Sequence, residues 1–131
     1  MPASLPKLNL TDQAGGADAV FESVAELFSL LSTPIRLKII GALCHSEKNV
    51  SQLLAEIDTT QPNMSQHLAT LYRAGVLGKR RDSTQIYYRL QSERVATLCR
   101  EVCTQAAIEL DSQTSVADVS AGARLLPSGL R

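Results

Sequence analysis

The 131-residue sequence contains no tryptophan, and aromatic residues make up only 4% of it. Proteins that hold single-stranded nucleic acid stack the bases on aromatic side chains, so this composition argues against that class. No apolar run approaches the roughly 20 residues that cross a bilayer. The first residues also lack the apolar centre of a secretion signal. We therefore expect a cytoplasmic protein with no membrane partner.

Cysteine and histidine are scarce too, with three and two residues respectively. An odd number of cysteines does not make a disulfide framework, and cytoplasmic thiols are reduced. No Cys/His/Asp spacing, glycine-rich phosphate loop or carboxylate pair stands out along the chain, so neither an enzyme nor a resident cofactor is expected. A small thiol enzyme and a dimerisation module that binds no DNA remain the least favoured alternatives.

The length suits one domain that can bury a real core. Residues 1–16 contain two prolines and little periodic hydrophobicity, which predicts a flexible N-terminal arm. Residues 111–131 are rich in serine, alanine and glycine, which predicts a flexible C-terminal tail. The folded domain is therefore expected over residues 17–110.

Apolar spacing predicts helices over residues 17–31, 34–45, 50–57 and 92–110. The last three begin after residues that can cap them, namely Thr33, Asn49 and Ser92. The first helix is so apolar that it either covers the core or pairs with another subunit. Cys44 is expected on or beside the buried face near the end of the second helix.

Another helix lies between the third and the last of these. It begins at Thr60, which can cap it, and ends at Gly75, which supplies a left-handed stop. An apolar stripe of Leu68, Leu71 and Tyr72 marks its inner face. The other face carries almost only amide, hydroxyl and imidazole groups, from Gln61, Asn63, Ser65, Gln66, His67 and Thr70. Uncharged donors and acceptors suit base edges in a DNA major groove, so this face is predicted to touch bases or nearby phosphates.

A basic hairpin follows, with its tip predicted at Asp82, Ser83 and Thr84. Residues 59–90 hold five basic side chains against one acidic, a net +4, whereas the whole chain is neutral. Such a hairpin beside an amide-rich helix is typical of a DNA reader, although a solvated helix and an ordinary charged hairpin would look similar. The predicted contacts to the backbone or minor groove are Arg80, Arg81, Ser83 and Thr84.

The order of these elements resembles the ArsR/SmtB family of winged-helix repressors. The resemblance covers about residues 17–108, and the segments that carry it are LFSLLSTPIRLKIIGAL, VSQLLAEI, MSQHLATLYRAGVL and RRDSTQIYYRL. It implies a mainly α fold with a small β-hairpin (α+β), in the order α-α-α-α-β-β-α. It also implies a homodimer, built from the first and last helices, that binds an imperfect palindrome in double-stranded DNA.

Two metal sites known in that family lack their ligands here. One uses a Cys-x-Cys at the start of the third helix, where this chain has Asn49 and Ser51. The other uses Asp and His on the last helix, which contains no histidine. Zinc and similar cations are therefore not expected as effectors.

The cysteine placement resembles the sulfide- and persulfide-responsive, BigR- and SqrR-like members of the family. In those, one thiol on each of two helices forms a disulfide or polysulfide bridge, and the protein leaves DNA. The resemblance implies Cys44 and Cys103 as sensor thiols, with a reactive sulfur species as inducer, although each lies about one turn from the usual position. Cys99 is a further candidate.

Cys99 and Cys103 lie four residues apart on one helix, so their Cβ atoms should be about 5–6 Å apart. A disulfide needs about 3.5–4.5 Å, so an intrahelical disulfide would strain the helix. The alternative inducer is As(III), a soft ion that prefers three thiolates, here Cys44, Cys99 and Cys103. Each cysteine taken singly can also be a small apolar packing residue.

Overall fold

The computed structural model describes residues 14–122, with side chains described over residues 16–114. This part of the chain contains five helices and one three-stranded sheet. In chain order the elements are α1 (Ala14–Leu30), α2 (Pro34–Leu43), β1 (Lys48–Asn49), α3 (Val50–Glu56), α4 (Gln61–Arg73), β2 (Leu77–Asp82), β3 (Gln85–Leu90) and α5 (Glu93–Gly122). The predicted mainly α winged helix-turn-helix is confirmed.

The predicted capping residues begin the helices. The hydroxyls of Thr33, Thr60 and Ser92 each accept a hydrogen bond from the backbone N–H three residues later, at 3.1, 3.2 and 3.2 Å. Asn49 and Gln52 exchange both bonds of a capping box, at 2.9 and 2.8 Å. These side chains satisfy amides that the first turn of a helix leaves unpaired, so the helix starts are specified locally.

The hairpin of β2 and β3 is antiparallel and in register from Leu77 opposite Leu90 to Asp82 opposite Gln85. Its tip is a two-residue turn, and Ser83 there has a φ of 63°. Short hairpin turns commonly need a residue in the left-handed region, which serine occupies at some cost.

The two-residue strand β1 pairs antiparallel with β3, placing Lys48 opposite Tyr88. It was not predicted, because two residues are too few to show an alternating pattern. The strand order β1-β3-β2 puts β3 in the middle of the sheet. The side-chain amide of Asn49 also donates to Gln85 at 3.2 Å. The hairpin is therefore tied to the start of α3.

The core lies between α2, α3, α4, the start of β2 and the first half of α5. Its buried residues include Ile39, Ile40, Leu53, Met64, Leu68, Leu71, Leu77, Val95 and Cys99. On α4 the stripe is Met64, Leu68 and Leu71, and the inclusion of Tyr72 in it was wrong: Tyr72 is 42% exposed. The amine of Lys79 lies 4.4 Å from the centre of its ring, outside the core.

The last helix continues to Gly122, beyond the predicted end near Leu110, and α1 begins at Ala14. The rest of the predicted arm and tail, residues 1–13 and 123–131, lies outside the described residues. Within the described part, no helix is long and apolar enough to span a membrane. Both terminal helices carry exposed apolar side chains, namely Val20, Phe21, Val24, Phe28, Val102, Ile108 and Leu110.

Candidate nucleic-acid interface and thiol site

The outer face of α4 presents the uncharged side chains that the sequence predicted. Gln61, Asn63, Ser65 and Gln66 are exposed, and Thr70 is half-buried. The side chains of these five form no hydrogen bond with any other described residue, so their donors and acceptors are available to a partner. Because Met64, Leu68 and Leu71 fix the opposite face in the core, the helix can present only this one outward.

The start of α4 is favourable to an anion. Its first turn contains no acidic residue, and Thr60 satisfies only one of the amides that the turn leaves unpaired. Unpaired amides and the helix dipole both attract negative charge at a helix N-terminus. A DNA phosphate is therefore electrostatically compatible with the end of α4 that carries the exposed amide side chains.

His67 is placed differently from its neighbours. It is half-buried, and its Nδ1 accepts a hydrogen bond from Nε of Arg36 at 3.1 Å. An imidazole that accepts through Nδ1 carries its proton on Nε2, and that group alone remains to contact DNA. Sequence reasoning predicted His67 on the reading face but gave no sign of Arg36, which lies on α2.

Arg80 on the hairpin is held by acidic neighbours. Its Nε donates to Glu47 Oε1 at 2.7 Å, and its Nη1 lies 3.6 Å from Asp82 Oδ2. This hydrogen bond from Arg80 lowers the pKa of the Glu47 carboxyl below its usual value. The guanidinium also lies over the ring of Tyr87, with Cζ 5.0 Å from the ring centre. Arg80 was predicted to contact phosphate, but in this structure its guanidinium binds Glu47 and Asp82 of its own chain.

The other hairpin residues predicted to contact DNA are exposed to solvent. Arg81, Ser83 and Thr84 are exposed. Arg81 forms no ion pair with any residue in the described part of the chain. The guanidinium of Arg81 therefore has no acidic partner among the described residues, in contrast to that of Arg80.

The three thiols are free, and their environments differ. Cys99 is buried, and burial raises the pKa of its thiol; the nearby thiols of Cys103 and Cys44 raise it further as like charges. Cys103 is exposed. Cys44 is exposed as well, so its predicted place on or beside the buried face was wrong. The reason is that α2 ends at Leu43 and Cys44 only caps it.

Cys44 lines a cleft of about 150 Å³ between the end of α2 and the start of α5. Ala96 and Arg100 of α5 line the same cleft. Cys44, at the end of the second helix, therefore lies across this cleft from the start of the last helix. Whether the sulfur atoms of Cys44 and Cys103 join remains a prediction.

The arsenite alternative requires three converging thiolates. Among the residues that the structure describes, no three His, Cys, Asp or Glu side chains form a group that could hold a metal ion. Cys44, Cys99 and Cys103 all lie in that part of the chain, so they do not form a three-thiolate site in this conformation.

Comparisons with known proteins agree with this geometry. A model of bacterial regulatory proteins of the arsR family matches residues 33–79. The biofilm growth-associated repressor of Xylella fastidiosa is 37% identical over 86 residues, which are 63% of this chain and 75% of that protein. The chain belongs to the arsR family. Its namesake in Agrobacterium fabrum is 40% identical over 75 residues, which are 57% of this chain and 64%, less than two thirds, of that protein.

Two solved structures of this fold are similar along most of their length. The transcriptional repressor BigR of Xylella fastidiosa has a TM-score of 0.63 and 33% identity, covering 70% of this chain and 94% of that one. The homodimeric winged helix-turn-helix DNA-binding domain of Mb0332 from Mycobacterium bovis has a TM-score of 0.60 and 29% identity, covering 69% and 83%. The ArsR resemblance inferred from the sequence is thereby confirmed.

Sequence reasoning missed two residues that shape this surface, Arg36 and Glu47. Each acts on a partner more than thirty positions away, His67 in one case and Arg80 in the other. No spacing along the chain signals such a pair. The nearest signal was chemical: both residues are charged, Arg36 within a segment that carries the family resemblance and Glu47 in the short loop after α2.

Proposed function

We propose that the protein is a homodimeric transcriptional repressor that reads double-stranded DNA with α4 and holds its backbone with the hairpin. The observation that carries this proposal is the exposed face of α4, whose uncharged side chains have no partner among the described residues. In an arsR-family fold, that face lies directly before a basic hairpin. Amide and hydroxyl groups recognise base edges, and exposed guanidinium groups recognise phosphates.

The proposed dimer is supported by the two terminal helices. Phe21 and Phe28 of α1 are 52% and 54% exposed in the single chain, and Val102 of α5 is 58% exposed. Large apolar side chains seldom stay in water in such numbers on a small domain. A second copy that covers them would set two α4 helices side by side, as an imperfect palindrome requires.

The proposed control is thiol chemistry between α2 and α5. Cys44 is exposed at the end of α2 and faces α5, and Cys103 is exposed one turn after the buried Cys99. Two protein thiols and one organic persulfide yield one protein disulfide, one organic thiol and hydrogen sulfide, so no other oxidant is needed. A covalent link between these helices would change the angle between the paired reading helices and release the DNA.

The DNA-binding proposal is tested by selection from random duplexes. Repeated selection by the wild-type protein should enrich an imperfect palindrome with half-sites about one helical turn apart. Fluorescence anisotropy should then show tighter binding to the selected duplex than to a scrambled duplex of the same composition. The absence of any enriched sequence at low salt would overturn the proposal.

The thiol proposal is tested on the same selected duplex. Peptide mapping by mass spectrometry after treatment with an organic persulfide should reveal a Cys44–Cys103 link, as a disulfide or with inserted sulfur, together with loss of DNA binding. Cys44→Ser or Cys103→Ser should abolish both effects, while Cys99→Ser, the matched control, should retain them. A protein that leaves DNA with all three thiols unlinked would exclude this mechanism.

A further inference from the structure

One side-chain contact joins α4 to the elements that precede it. Arg36, in the first turn of α2, donates from Nε to His67 Nδ1 at 3.1 Å. Its Nη1 donates to the backbone carbonyl oxygen of Leu30, the last residue of α1, also at 3.1 Å. Both bonds are partly buried. Arg36 therefore bridges the end of α1 and the middle of α4.

The backbone of Arg36 is itself held in place. Its N–H donates to the capping hydroxyl of Thr33 at 3.1 Å. The start of α2 therefore fixes the backbone of Arg36, while its side chain donates hydrogen bonds to His67 on α4 and to Leu30 on α1. A guanidinium is always charged and its donors form a rigid fork, so this one group constrains the distance and angle between its two acceptors.

His67 stands apart from the other polar residues of α4. Among the described residues, it is the only one on that helix whose side chain bonds to another helix by a hydrogen bond. Gln61, Asn63, Ser65 and Gln66 point outward and have no such partner. The histidine uses its inward nitrogen, Nδ1, to accept from a cation, which requires that Nδ1 carries no proton.

We propose that Arg36 and His67 are positioning residues for DNA binding: through Nδ1, His67 anchors α4 to Arg36, and Arg36 ties it to the end of α1. This inference rests on the proposed function, and it assigns His67 to holding the reading helix instead of contacting a base. The contact matters because α1 carries the exposed apolar residues of the proposed dimer. The bridge therefore links the orientation of each reading helix to the subunit interface.

A palindromic operator makes this orientation important. Two reading helices must enter successive major grooves about 34 Å apart, so a small rotation of each helix weakens both half-sites together. Binding to unrelated DNA depends mainly on phosphate contacts and tolerates such a rotation. Loss of the bridge should therefore weaken operator binding and leave the salt dependence of binding unchanged.

The decisive experiment compares two amide replacements of His67. An asparagine amide can place an acceptor near the position of Nδ1, whereas a glutamine amide reaches the position of Nε2. We expect His67→Asn to retain most of the affinity for the selected duplex and His67→Gln to lose about tenfold. The opposite order would show that Nε2 contacts DNA and would overturn the proposal.

Variants of Arg36 test the other end of the bridge. Arg36→Met and Arg36→Lys should both lose about tenfold in affinity for the selected duplex, because lysine keeps the charge but not the fork. The plot of log affinity against log salt should keep its wild-type slope. Rescue by lysine, or a shallower slope, would make Arg36 a phosphate contact and contradict the proposal. Lys38→Met, an exposed charge removed from the same helix, is the matched control.

A spectroscopic measurement keeps the test independent of DNA. Long-range 1H–15N correlation spectra of the imidazoles should show His67 with the proton on Nε2 in the wild type and a mixed tautomer in Arg36→Met, which has no donor for Nδ1. An unchanged His67 signal in that variant would show that the bridge does not exist. If the wild type binds no selected duplex at all, the proposed function fails first, and these spectra still decide whether the bridge forms.

Discussion

The reading region, α4 with the β2–β3 hairpin, and the thiol region, where the end of α2 meets α5, differ in how their chemistry is built. In the reading region, neighbouring residues on consecutive elements present their side chains to solvent. In the thiol region, the three sulfur atoms come from two helices far apart in the sequence, and only Cys99 is buried. Local segments of the chain therefore already contain the side chains of the reading region. The thiol region forms only when α2 and α5 pack together.

The difference extends to the charges. On α4 the exposed side chains of Gln61, Asn63, Ser65 and Gln66 are uncharged and form no hydrogen bond with other described residues. On the hairpin, Arg80 is bound to Glu47 while Arg81 is open. Adjacent arginines with the same chemistry therefore have different surroundings, because only Arg80 meets an acidic side chain from the loop before β1.

The largest effect should come from removing one reading side chain. Gln66→Ala should cost about 1–3 kcal/mol on the selected duplex, because a bidentate amide contact to a base is lost. Binding to the scrambled duplex should change little. Anisotropy titrations on both duplexes measure this. Gln113→Ala, an exposed glutamine on α5, is the control, and an equal loss on both duplexes would mean that Gln66 reads no base.

An intermediate effect should distinguish the two hairpin arginines. Arg81→Ala should weaken binding to both duplexes and lower the magnitude of the salt slope by about one for each protomer, because one phosphate contact is lost. Glu47→Gln should act in the opposite direction by releasing Arg80. Both are measured by titration over a range of salt concentrations. An unchanged slope in Arg81→Ala would remove that residue from the phosphate contacts.

The smallest effect concerns the thiol region. Burial raises the pKa of the Cys99 thiol, so at neutral pH it stays protonated more than an ordinary cysteine. Only the thiolate reacts with an alkylating agent. Mass spectrometry after timed iodoacetamide treatment should therefore show Cys99 labelled last, after the exposed Cys44 and Cys103. Its rate should rise as the pH is raised, and labelling of Cys99 first would contradict its burial.

The local features of this fold could be predicted from the sequence for one physical reason: each is satisfied within a few residues. A capping hydroxyl bonds an amide three positions away, as Thr60 does. Gly75 ends α4 with a φ of 84°, a conformation open to glycine and costly for other residues. The hydrophobic period of a helix fixes which face is outward, so the polar face of α4 was predictable without a partner.

Only the tertiary structure decided which of the predicted site residues already bind another side chain of the same chain. The Arg80–Glu47 pair joins residues 33 positions apart, and the Arg36–His67 bond joins residues 31 positions apart. It also placed Cys44 outward and Cys99 inward, against the expectation for Cys44. A sequence pattern shows only the periodic spacing of side chains within one helix or strand. Distances between side chains on different elements arise only when the core brings those elements together.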